Sequence, residues 1–143
     1  MLEFELKAIV SDPEILVQSS TVYLFNKEKN ILLPIRMASF ASDNLLLAKD
    51  RYPEPRPHIH NTASRLVRAL GGRIERVIIS GYHNEIFYSY IRIKHKKKSV
   101  DIDAKPSDSM AIALRLRIPI FVEKRIYESA GIQITKELLQ NLD

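Results

Sequence analysis

The stretch DIDAKPSDSMAIAL at residues 101–114 decides how this chain folds, because a strand runs there directly into a helix. Polar and apolar side chains alternate at residues 101–103, as they do in a half-exposed strand. Pro106 stands at a position that suits the first turn of a helix, with small polar residues beside it. Residues 110–114 are apolar on every side, so we predict a buried helix after the strand.

Upstream of this stretch, the sequence predicts an antiparallel meander of three strands. Residues 73–80 and 85–94 have the composition of strands, and residues 81–84 between them are typical of a turn. A second turn at residues 96–99 leads into the strand at residues 100–103. Consecutive strands joined by such short turns pair antiparallel.

The N-terminal part of the chain predicts three more strands, at residues 2–10, 21–25 and 31–35. Pro34 has no amide hydrogen to donate, so we expect it at a sheet edge or a strand end. Apolar residues at spacings of three and four then predict a helix that starts at Ser42-Asp43 and runs to about residue 50.

Three further helices and one short strand complete the prediction. A helix begins near residues 58–61 and ends at Gly71-Gly72, where glycine permits a left-handed backbone. A short buried strand at residues 119–122 precedes helices at residues 123–130 and 135–142. Runs of strands with helices between them indicate an α+β fold with a mainly antiparallel sheet, strand meanders and packed helices.

Length and composition limit the class of protein. A chain of 143 residues suits a single domain, which we place at residues 1–143, with its core at about 2–131 and its C-terminal helix at 135–142. Cysteine is absent, which excludes disulfide scaffolds, thiolate zinc sites and cysteine nucleophiles. No glycine-rich phosphate loop, H-E-x-x-H or G-x-S-x-G pattern supports a kinase, zinc-protease or esterase function.

Charge and hydropathy patterning indicate the partners. The net charge of +5 favours polyanions, because basic side chains attract phosphate and release its counterions. No apolar stretch approaches the roughly 18 residues that span a bilayer, and the alternating N-terminus differs from a signal peptide. We therefore expect a cytoplasmic protein without a membrane partner.

An acidic cluster surrounds the junction between the strand and the buried helix. Asp103 and Asp108 could converge across the turn beside Lys105. Paired carboxylates next to a cation suit Mg²⁺ or Mn²⁺ held for phosphodiester hydrolysis. The alternative is structural: Asp108 supports the helix N-terminus through the helix dipole, and Asp103 pairs with Lys105.

Two histidines stand at the predicted start of the second helix. In a helix, His58 and His60 point in different directions, and only His60 falls in line with the apolar residues Ala63 and Val67. This placement favours a partly buried His60 near the helix cap. A general base or a metal ligand is the other interpretation, because the pKa of histidine lies near neutral.

Four lysines cluster at the second turn of the meander. Residues 94–98 read KHKKK and would contact phosphate at a hairpin tip. The alternative is that these lysines only solvate an exposed turn and prevent edge pairing. Tyr82, Phe87, Tyr88 and Tyr90 nearby could stack bases, although Phe87 faces away from Tyr88 and Tyr90, so one group belongs to the core.

These residues resemble a known family. Residues 101–115, followed by PIFV at residues 119–122, resemble the signature of the bifunctional nuclease (BFN) domain family, D-x-R-P-S-D-A-I-A-L-A-x-R and then P-I-[YF]-V. Residues 33–35 (LPI) resemble its L-P-I, and residues 56–61 (RPHIHN) resemble its R-P-x-T-H-D. Residues 87–90 resemble its F-Y-A-x-L strand, so the similarity extends over most of the chain.

The resemblance implies an α+β domain with nuclease activity on DNA and RNA, and a homo-oligomer, for which we expect a dimer. The candidate residues follow from the cluster and the matched positions together. The candidate catalytic residues are His60, Asp103, Asp108 and Lys105; the candidate metal ligands are Asp103 and Asp108; and the candidate nucleic-acid contacts are Lys94, Lys96, Lys97, Lys98 and Arg56.

The chain also departs from the family pattern. Arg36 and Met37 replace the usual I-G, Ala41 stands where a glutamate is expected, Asn61 replaces an aspartate, and Lys105 replaces an arginine. The loss of two carboxylates weakens any Mg²⁺ site. These departures define a divergent member and support a second interpretation, a catalytically weak or inactive module that binds nucleic acid or protein. A third is that residues 106–109 bind a small anion.

Overall fold

An eight-stranded sheet forms the frame of the computed structural model, which describes residues 1–14 and 18–140. Alternating and β-branched residues form its long strands, as the sequence predicted. The strands within these residues are β1 (Leu2–Ser11), β2 (Ser19–Asn26), β3 (Ile31–Ala38), β4 (Arg73–His83), β5 (Ile86–His95), β6 (Lys98–Ala104), β7 (Ile120–Val122) and β8 (Ile132–Gln133).

The strands stand in the order β6-β5-β4-β7-β1-β2-β3-β8. Antiparallel pairing dominates, which confirms the prediction of an α+β fold with a mainly antiparallel sheet. The meander of β4, β5 and β6 is present as predicted. The parallel pair is β4 with β7, because the chain leaves β6 and returns to the sheet through a helix.

The helices pack on this sheet around one central helix. They are α1 (Ser39–Lys49), α2 (Ile59–Ala69), α3 (Pro106–Leu116), α4 (Lys124–Ala130) and α5 (Lys136–Gln140). Helix α3 contacts α1, α2, β4 and β5, and its residues 109–113 are buried, so the prediction of a buried helix is confirmed. Its position fixes the strand-to-helix junction in the middle of the fold.

The N-terminal boundary of α1 differs from the prediction. The sequence pointed to Ser42-Asp43 as the start, but α1 begins at Ser39, with Ala38 as the extended residue before it. The hydroxyl of Ser42 donates to the carbonyl of Ser39, inside the first turn (2.9 Å). The Ser42 hydroxyl therefore bonds to a carbonyl inside the helix and does not cap the amide groups at the start of α1.

The first hairpin turn of the meander also differs from the prediction. Strand β4 continues to His83, with a bulge between Ile79 and Gly81, and the turn falls at Asn84 and Glu85. Both turn residues have positive φ, 49° and 63°, which matches a tight two-residue hairpin. The glycine in this segment therefore marks a bulge within the strand.

The remaining comparisons concern the edge of the sheet and the C-terminus. Strand β8 was not predicted, because two residues give no recognisable alternation; it pairs only with Ile31 and Leu32 of β3. Pro34 therefore lies on an open stretch of the β3 edge, as expected.

The end of the predicted C-terminal helix, residues 141–142, lies outside the described residues. None of the described helices combines the length and apolarity that crossing a membrane requires.

Candidate nuclease site

A cavity of about 350 Å³ opens where the end of β3, the start of α1, the β4–β5 turn and the start of α3 meet. We call it the His60 cavity. Its apolar wall comes mainly from β3, α1 and β5, and its polar lining mixes cations, anions and an amide. The polar residues are Arg36, Asn44, His60, Glu85, Lys105, Ser107 and Asp108.

Buried hydroxyls hold the start of α3 against β5. The Ser89 hydroxyl donates to the carbonyl of Ala104 (2.5 Å), and it lies 2.6 Å from the hydroxyl of Ser109. The Ser109 amide donates to the carbonyl of Lys105 (3.0 Å), and Pro106 occupies the first helical position. The strand-to-helix junction is thus tied to the middle of the sheet, which fixes where the first turn of α3 points.

Asp108, in that first turn, meets His60 of α2. The Nε2 atom of His60 lies 3.0 Å from Oδ1 of Asp108, although 48 residues separate them in the chain. The His60 side chain is only 10% exposed, whereas the Asp108 side chain is 45% exposed. Asp108 therefore lines the cavity as a half-exposed carboxylate, and the buried His60 contacts its Oδ1 atom.

His58 completes the cluster on the other side of His60. The two imidazoles stack with ring centroids 4.9 Å apart and planes 9° apart, and their Nδ1 atoms are 3.0 Å apart. Different directions were expected if both residues were helical, a condition that His58 does not meet. His58 precedes the helix as its N-cap, and its extended backbone turns the ring back over the first turn.

The electrostatics of this cluster follow from burial. Partial burial lowers the pKa of His58, and the guanidinium of Arg115 and the neighbouring His60 lower it further. A lowered pKa keeps His58 neutral at pH 7. Both ring nitrogens of His60 are within 3.0 Å of another side chain, so His60 has no free nitrogen facing the cavity.

The other two predicted catalytic residues, Lys105 and Asp103, lie in different parts of the structure. Lys105 lines the cavity, and its side chain has no ion pair among the described residues. Asp103 lies on the edge strand β6, opposite Tyr90 of β5, and is exposed. Asp103 does not line the His60 cavity. The structure brings His60, Lys105 and Asp108 together and leaves Asp103 outside.

The predicted nucleic-acid contacts also fall into two places. Lys94, Lys96, Lys97 and Lys98 are exposed at the β5–β6 turn, which we call the lysine hairpin. Phe87, near the start of β5, lines the His60 cavity, so the length of β5 separates the two sites by about 30 Å at the usual rise of a strand. Arg56 lies in neither place but in a second cavity, between α1 and α2.

A comparison of the sequence with models of protein families gives a match that includes the His60 cavity. The family model described as the bifunctional nuclease domain matches residues 22–135. The chain belongs to the bifunctional nuclease domain family. The matched range of this bifunctional nuclease domain includes every residue that lines the His60 cavity, and the family indicates a nuclease-like or nucleic-acid-related function. No curated protein matches the chain significantly.

The donors that line the His60 cavity do not form a complete metal-ion site. Mg²⁺ and Mn²⁺ take several oxygen ligands, and a protein usually contributes one or two carboxylates. Among the described residues, no three histidine, aspartate or glutamate side chains are grouped so that they could hold a metal ion. Asp108 already contacts His60, Asp103 lies elsewhere, and Asn61 and Ala41 supply no carboxylate. Among the described residues, Glu85 is the one other carboxylate that lines the cavity.

Sequence reasoning did not identify several residues near the site. Arg36 and Glu85 line the His60 cavity, but neither was weighed as a functional residue. Arg115 near the end of α3 pairs with Glu54 of the linker at 3.1 Å. The signal for Arg115 was present in the sequence: a charged residue that directly follows the apolar residues 110–114 of a buried helix needs a partner.

Proposed function

We propose that this bifunctional nuclease domain hydrolyses phosphodiester bonds of DNA or RNA in the His60 cavity, with Asp108 as its acid–base residue. The observation that carries the proposal is the 3.0 Å contact between His60 and Asp108 in a cavity that Lys105, which forms no ion pair with any described residue, also lines. A half-exposed carboxylate held from behind by a buried imidazole is oriented for proton transfer. Family membership supports the substrate class.

Asp108 has the free acceptor that the reaction needs. Its Oδ1 atom faces His60, and Oδ2 has no hydrogen-bond partner among the described residues. In the proposed reaction, Oδ2 takes a proton from the attacking water, the water oxygen bonds to phosphorus, and the bond from phosphorus to the leaving oxygen breaks. The leaving oxygen then recovers a proton from Asp108 or from solvent.

His60 acts in this proposal as a positioning residue. Its nitrogens are engaged by Asp108 and His58, so it holds the carboxylate and does not touch substrate. The stacked, neutral His58 fixes the plane of the His60 ring. A carboxylate with a fixed orientation loses less entropy when it meets the attacking water.

Lys105 and Arg36 would neutralise the phosphate. Lys105 immediately precedes α3, so its ammonium adds to the positive end of that helix dipole. Arg36 contacts Asp12 at 3.0 Å but keeps 66% of its side chain exposed, which leaves the guanidinium accessible. Positive groups at the developing charge lower the barrier of phosphoryl transfer.

Purified protein incubated with labelled single- and double-stranded DNA and RNA tests the proposal. We expect Asp108→Asn to lower the cleavage rate by about 100-fold or more. Asp43→Asn, an exposed carboxylate on α1, is the matched control and should cleave like the wild type. Parallel reactions with Mg²⁺, with Mn²⁺ and with a chelator test the metal. Cleavage that survives Asp108→Asn unchanged would refute the proposal and indicate a contaminating nuclease.

A second candidate function is a binding module that does not cleave. Two observations favour it: Ala41 and Asn61 occupy positions where the family carries carboxylates, and the exposed lysines lie far from the His60 cavity. A salt titration of nucleic-acid binding distinguishes the two functions. A steep loss of affinity with salt and no turnover in any metal condition would favour the binding module.

A further inference from the structure

A second cavity, of about 510 Å³, lies between the end of α1, the linker at residues 50–57, α2 and the end of α3. We call it the arginine cavity. Its charged lining is strongly unbalanced, because several arginines face one carboxylate. Among the described residues, the charged side chains that line it are Arg51, Arg56, Arg65, Arg115 and Glu54.

Arg115 is buried in the wall of this cavity with unused donors. Its side chain is only 8% exposed. Its Nη2 atom donates to Oε1 of Glu54 (3.1 Å) and to Oδ1 of Asn44 (3.5 Å), whereas its buried Nη1 atom finds no acceptor in the part of the chain that the structure describes. A buried charged donor that is only partly satisfied is costly, so the positive charge of Arg115 remains incompletely compensated in the wall of the cavity.

The other arginines of the cavity carry charge that the fold does not neutralise. Arg51, Arg56 and Arg65 have no ion pair among the described residues. By contrast, Arg73 and Arg92, elsewhere on the surface, each pair with a carboxylate at 2.9–3.3 Å. The arginine cavity therefore concentrates positive charge at a concave site, which is the arrangement that binds anions.

We propose that the arginine cavity binds a phosphate monoester, carried either by a mononucleotide or by the terminal phosphate of an oligonucleotide. A monoester brings more negative charge than a diester, and its three terminal oxygens can accept hydrogen bonds from several guanidinium groups. A terminal group can also enter a cavity end-on, which an internal phosphate of a continuous strand cannot do. Tyr52 lines the cavity with 66% of its surface exposed, so a base can stack on it.

This site is separate from the proposed cleavage site but adjoins it. Asn44 lines the His60 cavity and accepts the hydrogen bond from Arg115, which lines the arginine cavity. Asp108 lines the His60 cavity but not the arginine cavity. Binding in the arginine cavity therefore does not depend on the proposed cleavage, and the two proposals can fail independently.

Isothermal titration of the full chain tests the proposal with four probes. These are AMP, adenosine, a tetranucleotide with a 5′-phosphate and the same tetranucleotide without it. We expect each phosphorylated probe to bind at least about 10-fold more tightly than its unphosphorylated counterpart. Tight binding of AMP identifies a free nucleotide as a sufficient ligand, and selective binding of the phosphorylated tetranucleotide identifies a strand end. Equal affinities within both pairs would overturn the proposal.

Matched variants locate the binding. Arg65→Ala should lower the affinity for AMP about 10-fold or more, whereas Arg117→Ala, an exposed arginine outside the cavity, should leave it unchanged. Arg115→Met combined with Glu54→Gln removes the buried pair without stranding either charge, and it should abolish the preference for phosphate. Asp108→Asn should keep the affinity for AMP. Equal losses in Arg65→Ala and Arg117→Ala would show that only net charge matters and would overturn the assignment.

Discussion

The two ends of β5 differ in how they are built. At its start, Phe87 lines the His60 cavity, where a buried imidazole supports a carboxylate from a distant part of the chain. At its end, the lysine hairpin exposes four lysines that are almost consecutive in the sequence. The first end depends on tertiary packing, and the second depends only on a local turn. We infer that the first is suited to chemistry and the second to charge attraction.

Among changes that leave Asp108 itself in place, the largest expected effect concerns His60 at the cavity end. His60→Ala removes the support of Asp108 and should lower the cleavage rate about 100-fold, because misplacing a catalytic group is enough for such a loss. His60→Gln, whose amide nitrogen can still donate to Asp108, should recover much of the rate. Single-turnover rates on one oligonucleotide measure both variants. Equal loss in the two would mean that His60 itself takes part in proton transfer.

The next largest effect concerns nucleic-acid binding by the lysine hairpin. It should leave the rate of the chemical step unchanged. Changing Lys96, Lys97 and Lys98 together to glutamine should reduce the slope of log affinity against log salt by about 3 if each lysine contacts one phosphate. The rate at saturating substrate should stay at the wild-type value. The triple change Lys27→Gln, Lys29→Gln and Lys49→Gln, at exposed lysines outside the hairpin, controls for net charge. A fall in the saturated rate would mean that the two ends of β5 act as one site.

A smaller effect is expected at the link between β5 and α3. Ser89→Ala removes the hydroxyl that bonds to Ala104 and lies beside Ser109, which should lower the free energy of unfolding by about 1–3 kcal/mol. The cleavage rate should also fall, since the start of α3 carries Asp108, while binding by the lysine hairpin should persist. Denaturant unfolding measures the stability. Ser129→Ala, an exposed serine on α4, should change neither property.

The smallest effect is a pH dependence of stability at the cavity end. The pKa of His58 is lowered from its ordinary 6.5 by burial, then by Arg115 and His60. Below about pH 6.5 the unfolded chain therefore binds a proton that the folded chain does not, so stability falls as the pH drops toward the folded pKa. His58→Asn keeps a capping side chain and should weaken this dependence. His95→Asn, at the hairpin end, retains His58 and is the control in melting curves from pH 7.5 to pH 5.

The comparison also shows which features could be predicted from the sequence. The lysine hairpin could be predicted, because a local run of charge between two strands determines its exposure. Alternation and apolar spacing likewise predicted the meander and the buried α3. The contact between His60 and Asp108 could not be derived from spacing, since it depends on how α2 packs beside α3 across 48 residues. The acidic cluster and the histidine pair each supplied one of the two residues as a candidate, and the family resemblance listed them together.

Two expectations about the site that the structure does not meet have the same origin. The opposite orientation of His58 and His60 assumed helical geometry at a residue that lies just before the helix and is extended. The expectation that Asp103 and Asp108 converge assumed that the strand and the helix face one cavity, whereas Asp103 sits on the exposed edge strand. Periodicity holds within an element and does not extend across its boundary.

The length of β5 sets the distance between the lysine hairpin and the His60 cavity. Its ten residues span about 30 Å, and duplex DNA advances about 3.4 Å per base pair along its axis. A duplex shorter than about nine base pairs therefore cannot reach both the lysine hairpin and the His60 cavity at once. Anchoring of the nucleic acid at the lysine hairpin and its cleavage in the His60 cavity would make the cleavage rate depend on substrate length. The length of β5 would then set the minimum length of the substrate.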